Sequence, residues 1–245
     1  KLPLGGPVYS MQFSPDSKTV ALGAGRGLVA LLDFNRPMAR LEGHADAVLS
    51  VAFSRDGRLL ATGSADNTVR LWDLHSRQSI RILRGHRDSV KQVVFSPDGT
   101  RLISASLDKT ARVWPALSKE DNILRAEGEQ ITAIAIHPSG KLLAIGGTKN
   151  TLRIVDPLQG EVRYSMTNLT HPILSLAFSP DGFHLLAGGW SRSLRVWQTA
   201  PWRQLDSLTT FSPEERVHSL RFSNDGRYAF AGEYGFVSVW DTGSW

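Results

Sequence analysis

The chain contains no cysteine, which excludes disulfide staples and thiolate metal sites but fits any redox compartment. No apolar run approaches the roughly 18 residues of a membrane-spanning helix, and the first residues do not have the pattern of a signal peptide. Opening on Lys1 rather than Met, the chain is expected to be a fragment, with targeting signals lying outside it. Several catalytic signatures are also missing: there is no Gly-rich phosphate loop between a strand and a helix, no His-x-x-x-His pair and no serine nucleophile elbow. Like charges do not gather. Lys119-Glu120-Asp121 and Glu214-Glu215-Arg216 mix signs, and no block of one sign stands out as a polyanion-binding arm.

What the chain has is a repeated unit, clearest from Gly43 to Asp73, GHADAVLSVAFSRDGRLLATGSADNTVRLWD. Residues 48–53, 58–63 and 67–72 are three runs rich in Val, Leu and Thr, each of strand length. Ser-Arg-Asp-Gly joins the first two, where Asp56 can cap its own turn and Gly57 accepts positive φ. Ala-Asp-Asn-Thr joins the second and third. A fourth candidate strand, residues 79–83, leads to a second Gly-His at 85 and 86. Such a meander is apolar on both faces, so it needs copies of itself on either side.

Aligning the apolar-Ala-Phe-Ser-Pro-Asp-Gly core places Phe13, Phe53, Phe95, Ile136, Phe178 and Phe222 in register, at intervals of 40, 42, 41, 42 and 44 residues. A repeat of this length, with Gly-His before its first strand and Trp-Asp after its third, is the signature of a propeller blade. On these residues the whole chain resembles the WD40 (beta-transducin repeat) family. The implied fold is all-β, a propeller of four-stranded antiparallel blades in a single domain. Its repeats are expected at 8–47, 48–89, 90–130, 131–172, 173–216 and 217–245, with residues 1–6 supplying the outermost strand of the last blade. Six blades are the literal count, and seven stay open if a repeat lies outside the chain. At 245 residues one domain buries roughly 75% of its unfolded surface, so no staple is required.

The resemblance implies a hydrogen-bonded tetrad in the two most regular repeats, formed by His44, Thr62 or Ser64, Asp66 and Trp72, and by His86, Ser104 or Ser106, Asp108 and Trp114. Ser64 and Ser106 are the preferred hydroxyls. Buried indole and imidazole nitrogens need such partners, and a structural role is preferred to acid–base or metal chemistry. Elsewhere the pattern fails. The turn Asp is replaced by Arg26, Lys149, Ser191 and Tyr234, and the Trp by Leu32 and Val155. The first and fourth blades are therefore expected to depend on packing and to be less stable.

The recurrent Asp16, Asp98, Asp181 and Asp225 read as turn formers, spread around a rim rather than converging as paired catalytic carboxylates must. No catalytic residue, metal or cofactor is expected. The net charge of +5 raises nucleic acid as a partner, but Arg70, Arg112, Arg153 and Arg195 share one register two residues before the Trp site, as a scaffold row would.

What remains is recognition on the loop face, where family members often dock partners. Two registers there vary while the scaffold stays fixed: Tyr9, Leu49, Lys91, Thr132, Leu174 and His218, and Gly25, Ala65, Leu107, Thr148, Trp190 and Glu233. Trp190 is the expected anchor, since its register holds small residues in other repeats and exposed aromatics are enriched at binding hot spots. Tyr9, Leu49, Leu107 and Leu174 would extend it as an apolar patch edged by Lys91 and His218. The function expected is a non-catalytic scaffold for a protein or peptide partner, cytoplasmic and one module of a longer chain. Its Ala/Gly/Leu/Arg-rich repeats look like bacterial WD40 arrays attached to kinase, NTPase or other signalling domains. The alternatives are a propeller that acts on or senses a small molecule and a basic scaffold associated with nucleic acid.

Overall fold

The structure, a computed structural model, describes residues 6–33, 37–116, 122–125, 129–167, 169–190, 193–209, 216–233 and 236–244. Ser191, Tyr234, Lys119-Glu120-Asp121, Glu214-Glu215 and residues 1–5 of the expected closing strand lie outside them. The chain is all-β, six antiparallel sheets that are the six blades of a propeller. One 3-10 turn, Thr242–Ser244, is the helical element among the described residues.

Contacts group the chain into two units, Lys1–Gly128 and Glu129–Trp245. The first holds three blades: β1 (Val8–Phe13), β2 (Thr19–Ala24), β3 (Val29–Asp33) and β4 (Ala39–Leu41); β5 (Val48–Phe53), β6 (Leu59–Ser64), β7 (Val69–Asp73) and β8 (Gln78–Leu83); and β9 (Val90–Phe95), β10 (Arg101–Ser106), β11 (Thr110–Pro115) and β12 (Asn122–Arg125). The second holds β13 (Ile131–Ile136), β14 (Leu143–Gly147), β15 (Leu152–Val155) and β16 (Val162–Met166); β17 (Ile173–Phe178), β18 (His184–Gly189), β19 (Ser193–Thr199) and β20 (Trp202–Thr209); and β21 (Val217–Phe222), β22 (Tyr228–Glu233) and β23 (Phe236–Asp241). The sixth sheet has three strands among the described residues. Gly6 and Pro7 lie beside the first blade, where the Gly25 amide donates to the Pro7 carbonyl at 3.0 Å.

Local chemistry sets each hairpin. In the β5–β6 turn the Ser54 hydroxyl donates to Asp56 Oδ1 at 2.6 Å, the same oxygen accepts the Arg58 amide, and the Leu59 amide donates to Ser54 Oγ at 2.9 Å. Gly57 takes the positive φ of 70° that this geometry needs. The bonds recur around Asp16, Asp98, Asp181 and Asp225, so these carboxylates are turn formers at one end of successive sheets.

The core lies between sheets rather than within any one of them. Ala21, Val29, Leu31 and Leu41 of the first blade pack on Val48, Val51, Phe53, Leu60 and Trp72 of the second. Ala61, Val69, Leu71 and Leu83 of the second pack on Val90, Val93, Leu102 and Trp114 of the third. The second unit repeats the scheme between its own blades, with Ile154, Leu152, Ile173, Leu185 and Trp197 in one layer and Leu194, Val196, Val217 and Leu220 in the next. Each fully buried aliphatic or aromatic side chain contributes about 1.5–3 kcal/mol, so a blade derives much of its stability from its neighbour's face.

One register makes this approach possible. A Cβ on Gly63 would stand 2.7 Å from Val90 Cγ1, and one on Gly23, Gly146 or Gly188 would stand 2.8, 2.7 or 2.6 Å from the β-branched residue of the next blade. Among the described residues, a Cβ on Gly232 in the sixth blade would meet nothing nearer than Ser219 at 3.5 Å. Serine hydroxyls tie the same faces: the Val51 amide donates to Ser10 Oγ, Val93 to Ser50 Oγ and Leu220 to Ser175 Oγ, at 3.2, 3.1 and 2.9 Å. Gly63→Ala and Gly188→Ala are each expected to destabilise by about 1–3 kcal/mol through overpacking, while Gly232→Ala stays within about 0.5 kcal/mol. Urea unfolding midpoints check this; equal effects at all three sites would refute it.

Candidate functional site

At the end of each sheet opposite the Asp turns, strand one begins and strand two ends. In the second blade a buried polar chain crosses this end. Trp72 Nε1–H donates to Thr62 Oγ1 at 2.9 Å, Thr62 lies 2.7 Å from His44 Nε2, and His44 Nδ1 lies 2.7 Å from Asp66 Oδ2. The third blade repeats it through Trp114, Ser104, His86 and Asp108 at 2.8, 2.7 and 2.9 Å. The hydroxyl in the chain is that of Thr62 or Ser104, which corrects the expectation of Ser64 and Ser106. Those two serines sit at the last residue of the strand, past the indole. Each instead donates to a loop carbonyl, Asp46 or Asp88, and accepts the amide of Asp66 or Asp108.

Electrostatics fixes the protons. Burial pushes His44 and His86 below the ordinary imidazole value, against the opposing pull of Asp66 and Asp108. Each ring is therefore neutral near pH 7, with Nδ1–H donating to the carboxylate and Nε2 accepting from the hydroxyl. Burial raises the two aspartates, but the hydroxyl of Thr68 or Thr110, the amide of Ala45 or Arg87 and the imidazole together bring them down to about 2. Every group in the chain is engaged, and both tryptophans are 1% exposed. No reacting molecule can reach these histidines, so the chains join loop to sheet.

The fourth blade uses a residue that the register comparison passed over. Glu129, 4% exposed, accepts the Lys149 amide at 3.0 Å and the Thr151 hydroxyl. It stands two residues before strand one, at the place of Asp46 and Asp88, and its carboxylate reaches the turn where the second and third blades carry Asp66 and Asp108. The blade thus keeps a buried carboxylate supplied from the other loop.

The two variable registers converge on this same end. In all six blades the pairing of strands one and two slips by one residue near the start of strand one. The residues left unpaired by these bulges are Tyr9, Leu49, Lys91, Thr132, Leu174 and His218. A bulge turns its side chain away from the regular face of the sheet. The second register is anchored by backbone: the amides of Gly25, Ala65, Leu107, Thr148 and Trp190 donate to the carbonyls of Pro7, Ala47, Ser89, Gln130 and Pro172. Both sets therefore stand at one end of each blade on a fixed main chain.

The candidates divide between the units. Tyr9, Leu49, Lys91 and Leu107 belong to the first; Leu174, Trp190 and His218 belong to the second. Tyr9 and His218 are exposed and Leu49, Lys91, Leu107 and Leu174 half-buried. Trp190 is 45% exposed, with the Arg216 guanidinium 4.0 Å above its ring centre. Arg216 was missed because two acids precede it in sequence; its signal is its place immediately before strand one. Thr132 is engaged, donating to the Ile173 carbonyl of the next blade.

The arginine row is structural where the contacts are seen. Arg70 and Arg112 donate to the carbonyls of Gly43 and Gly85 at 2.7 and 2.8 Å and lie over the rings of Trp72 and Trp114. Arg195 donates to the Thr170 hydroxyl at 2.6 Å. Among the described residues no three His, Asp or Glu side chains cluster as metal ligands would, and no helix is long and apolar enough to cross a membrane.

Both histidine and aspartate shifts are downward, so below pH 6.5, and again below pH 3.8, the unfolded chain binds more protons than the folded one. The stability they contribute is complete above about pH 7. It is lost as pH falls, first as the histidines are forced to charge and then between about pH 4 and 2 as Asp66 and Asp108 are protonated. A urea midpoint that held constant from pH 7 to 3 would contradict this. Thr62→Val or Ser104→Val strands an indole N–H and an imidazole nitrogen, and each is expected to cost about 1–3 kcal/mol in the same assay.

Comparison with known proteins agrees with this architecture. The family model described as the IFT122 first beta-propeller matches residues 7–244. A guanine nucleotide-binding protein subunit beta from Zea mays is 30% identical over 70% of this chain and 37% of its own length. A serine-threonine kinase receptor-associated protein from Gallus gallus is 28% identical over 85% of this chain and 59% of its own. Striatin-4 from Homo sapiens is 28% identical over 74% of this chain and 26% of its own. The chain thus spans between about a quarter and three-fifths of the length of these relatives. Six meander blades, Trp–hydroxyl–His–Asp chains in two of them and a family match from residue 7 to 244 place the chain in the WD-repeat β-propellers, as a member of the IFT122 first beta-propeller family.

Proposed function

We propose that the protein is a non-catalytic scaffold that binds a protein or peptide segment at the bulged loop ends of its blades, as one module of a longer chain. The observation that carries this is Trp190: a large aromatic, nearly half exposed, held by a backbone bond to Pro172 and capped on one face by Arg216. Such a ring presents apolar area at little entropic cost, because its main chain and one face are already ordered. Leu174 and His218 stand on bulges of the same unit and supply an apolar flank and a polar edge. In the first unit Tyr9, Leu49, Lys91 and Leu107 occupy the equivalent places and form a second contact set.

His44, Asp66, His86, Asp108 and Glu129 at these loop ends are held in buried hydrogen-bond networks, and the Asp turns lie at the far end of each sheet, which favours recognition over catalysis. The engagement of Arg70, Arg112 and Arg195 by neighbouring loops argues against a phosphate-binding row. The names of the relatives, a subunit and a receptor-associated protein among them, support an interaction role. Trp190→Ala is expected to weaken partner capture from the native host by about 2 kcal/mol or more, with the thermal midpoint moving little because the ring is exposed. Unchanged capture by a folded Trp190→Ala variant would remove the anchor.

A further inference from the structure

In the first unit, at the Asp-turn end and away from the rim just described, a cavity of about 320 Å³ opens between the first and second blades. Its floor is apolar, made by Leu31, Phe53 and Leu74, and Asp16, Asp33 and Asp56 stand around it with Arg77 as the cation among the described lining residues. The second and third blades show what belongs in such a place. There Arg81 of β8 pairs with Leu71 of β7 and crosses to the third blade, donating through Nη1 to the carbonyls of Pro115 and Ala116 at 2.7 and 3.2 Å. In the first blade the residue in this register, paired with Leu31, is Ala39, and it lines the cavity. In the fourth blade the register holds Tyr164, paired with Ile154, and that ring packs against Trp202 of the fifth at 5.3 Å. Where a long side chain spans the seam in two blade pairs, a methyl group stands in the first.

We infer that this seam receives an arginine side chain from a partner's extended peptide segment, which takes the place that Arg81 fills from within the chain one blade later. The carbonyls corresponding to Pro115 and Ala116, counted from the tryptophan, are those of Asp73 and Leu74, and Leu74 borders the cavity. The arginine stem lies against Leu31, Phe53 and Leu74. Its planar fork of donors suits two acceptors at once, which an ammonium does not match. The charge is complementary: the turns use Oδ1 of Asp16 and Asp56, and the same bonds from Ser14, Lys18, Ser54 and Arg58 hold both carboxyls below their ordinary range, so both are ionised at neutral pH. Ala39 is what makes the seam a receptor, since any long residue there would fill it in cis.

The test uses the whole chain and a fluorescent nonapeptide of glycine and serine with one central arginine, compared with the same peptide carrying citrulline, which keeps the shape and loses the charge. The arginine peptide is expected to bind saturably and at least about tenfold more tightly than the citrulline peptide. Ala39→Arg, which supplies the guanidinium in cis, is expected to remove that difference, and Trp190→Ala to leave it intact, separating this site from the loop rim. Asp56→Asn keeps the turn acceptor without the charge and is expected to weaken the arginine peptide several-fold, a second readout should Ala39→Arg fold poorly. Equal binding of the two peptides, no saturation of the arginine peptide by about 1 mM, or unaltered binding by folded Ala39→Arg would each overturn the proposal.

Discussion

The constraint on which the rest depends is that a blade buries an apolar face against its neighbour, as the first does on the second and the second on the third. A four-stranded meander of five- or six-residue strands has almost no interior of its own, and its second strand is buried nearly end to end, as the run from Leu60 to Ser64 shows. The glycine register opposite Val48, Val90, Ile173 and Val217 is the steric condition for that coverage. The serine hydroxyls that accept amides from the next blade add direction to a contact that apolar packing leaves slippery. Variation at the loop ends is tolerated because these seams, and not the loops, hold the sheets in place.

The buried polar groups at the loop ends of the second, third and fourth blades are paired in one way, around a carboxylate at the turn. The Trp–hydroxyl–His–Asp chains satisfy every donor they bury, and the fourth blade reaches an equivalent end with a glutamate from the opposite loop. There the carboxylate at the turn is supplied by the segment that can reach it. A partly satisfied network would cost more than an apolar substitute, which fits the first blade, where the indole and the turn Asp are given up together, as Leu32 and Arg26.

Much of this was legible in the sequence because turn chemistry is local. Ser-x-Asp-Gly fixes a hairpin within six residues in four of the blades, and the spacing of the Phe or Ile just before the turn counted all six. The tryptophan and histidine positions were legible for the same reason. The choice between Thr62 and Ser64 was not, since both point to one side of a strand and only the position of the Trp72 indole decides between them. Glu129 was hidden because its carboxylate works some twenty residues from its own place in the chain. The bulges were hidden in another way: all six blades share them, so spacing between repeats carries no trace, although the variable residues that spacing picked out, from Tyr9 to His218, turn out to be the bulged ones. Arg216 needed the third dimension, because nothing in a Glu-Glu-Arg run announces a stack on a tryptophan 26 residues earlier.

The Ser-x-Asp-Gly turns close all their bonds on themselves: the serine hydroxyl, the aspartate oxygen and the two following amides need no partner from elsewhere in the fold. Such a corner is a self-contained cassette. A lineage that multiplies blades by duplication thus inherits each such hairpin with its folding instructions already enclosed.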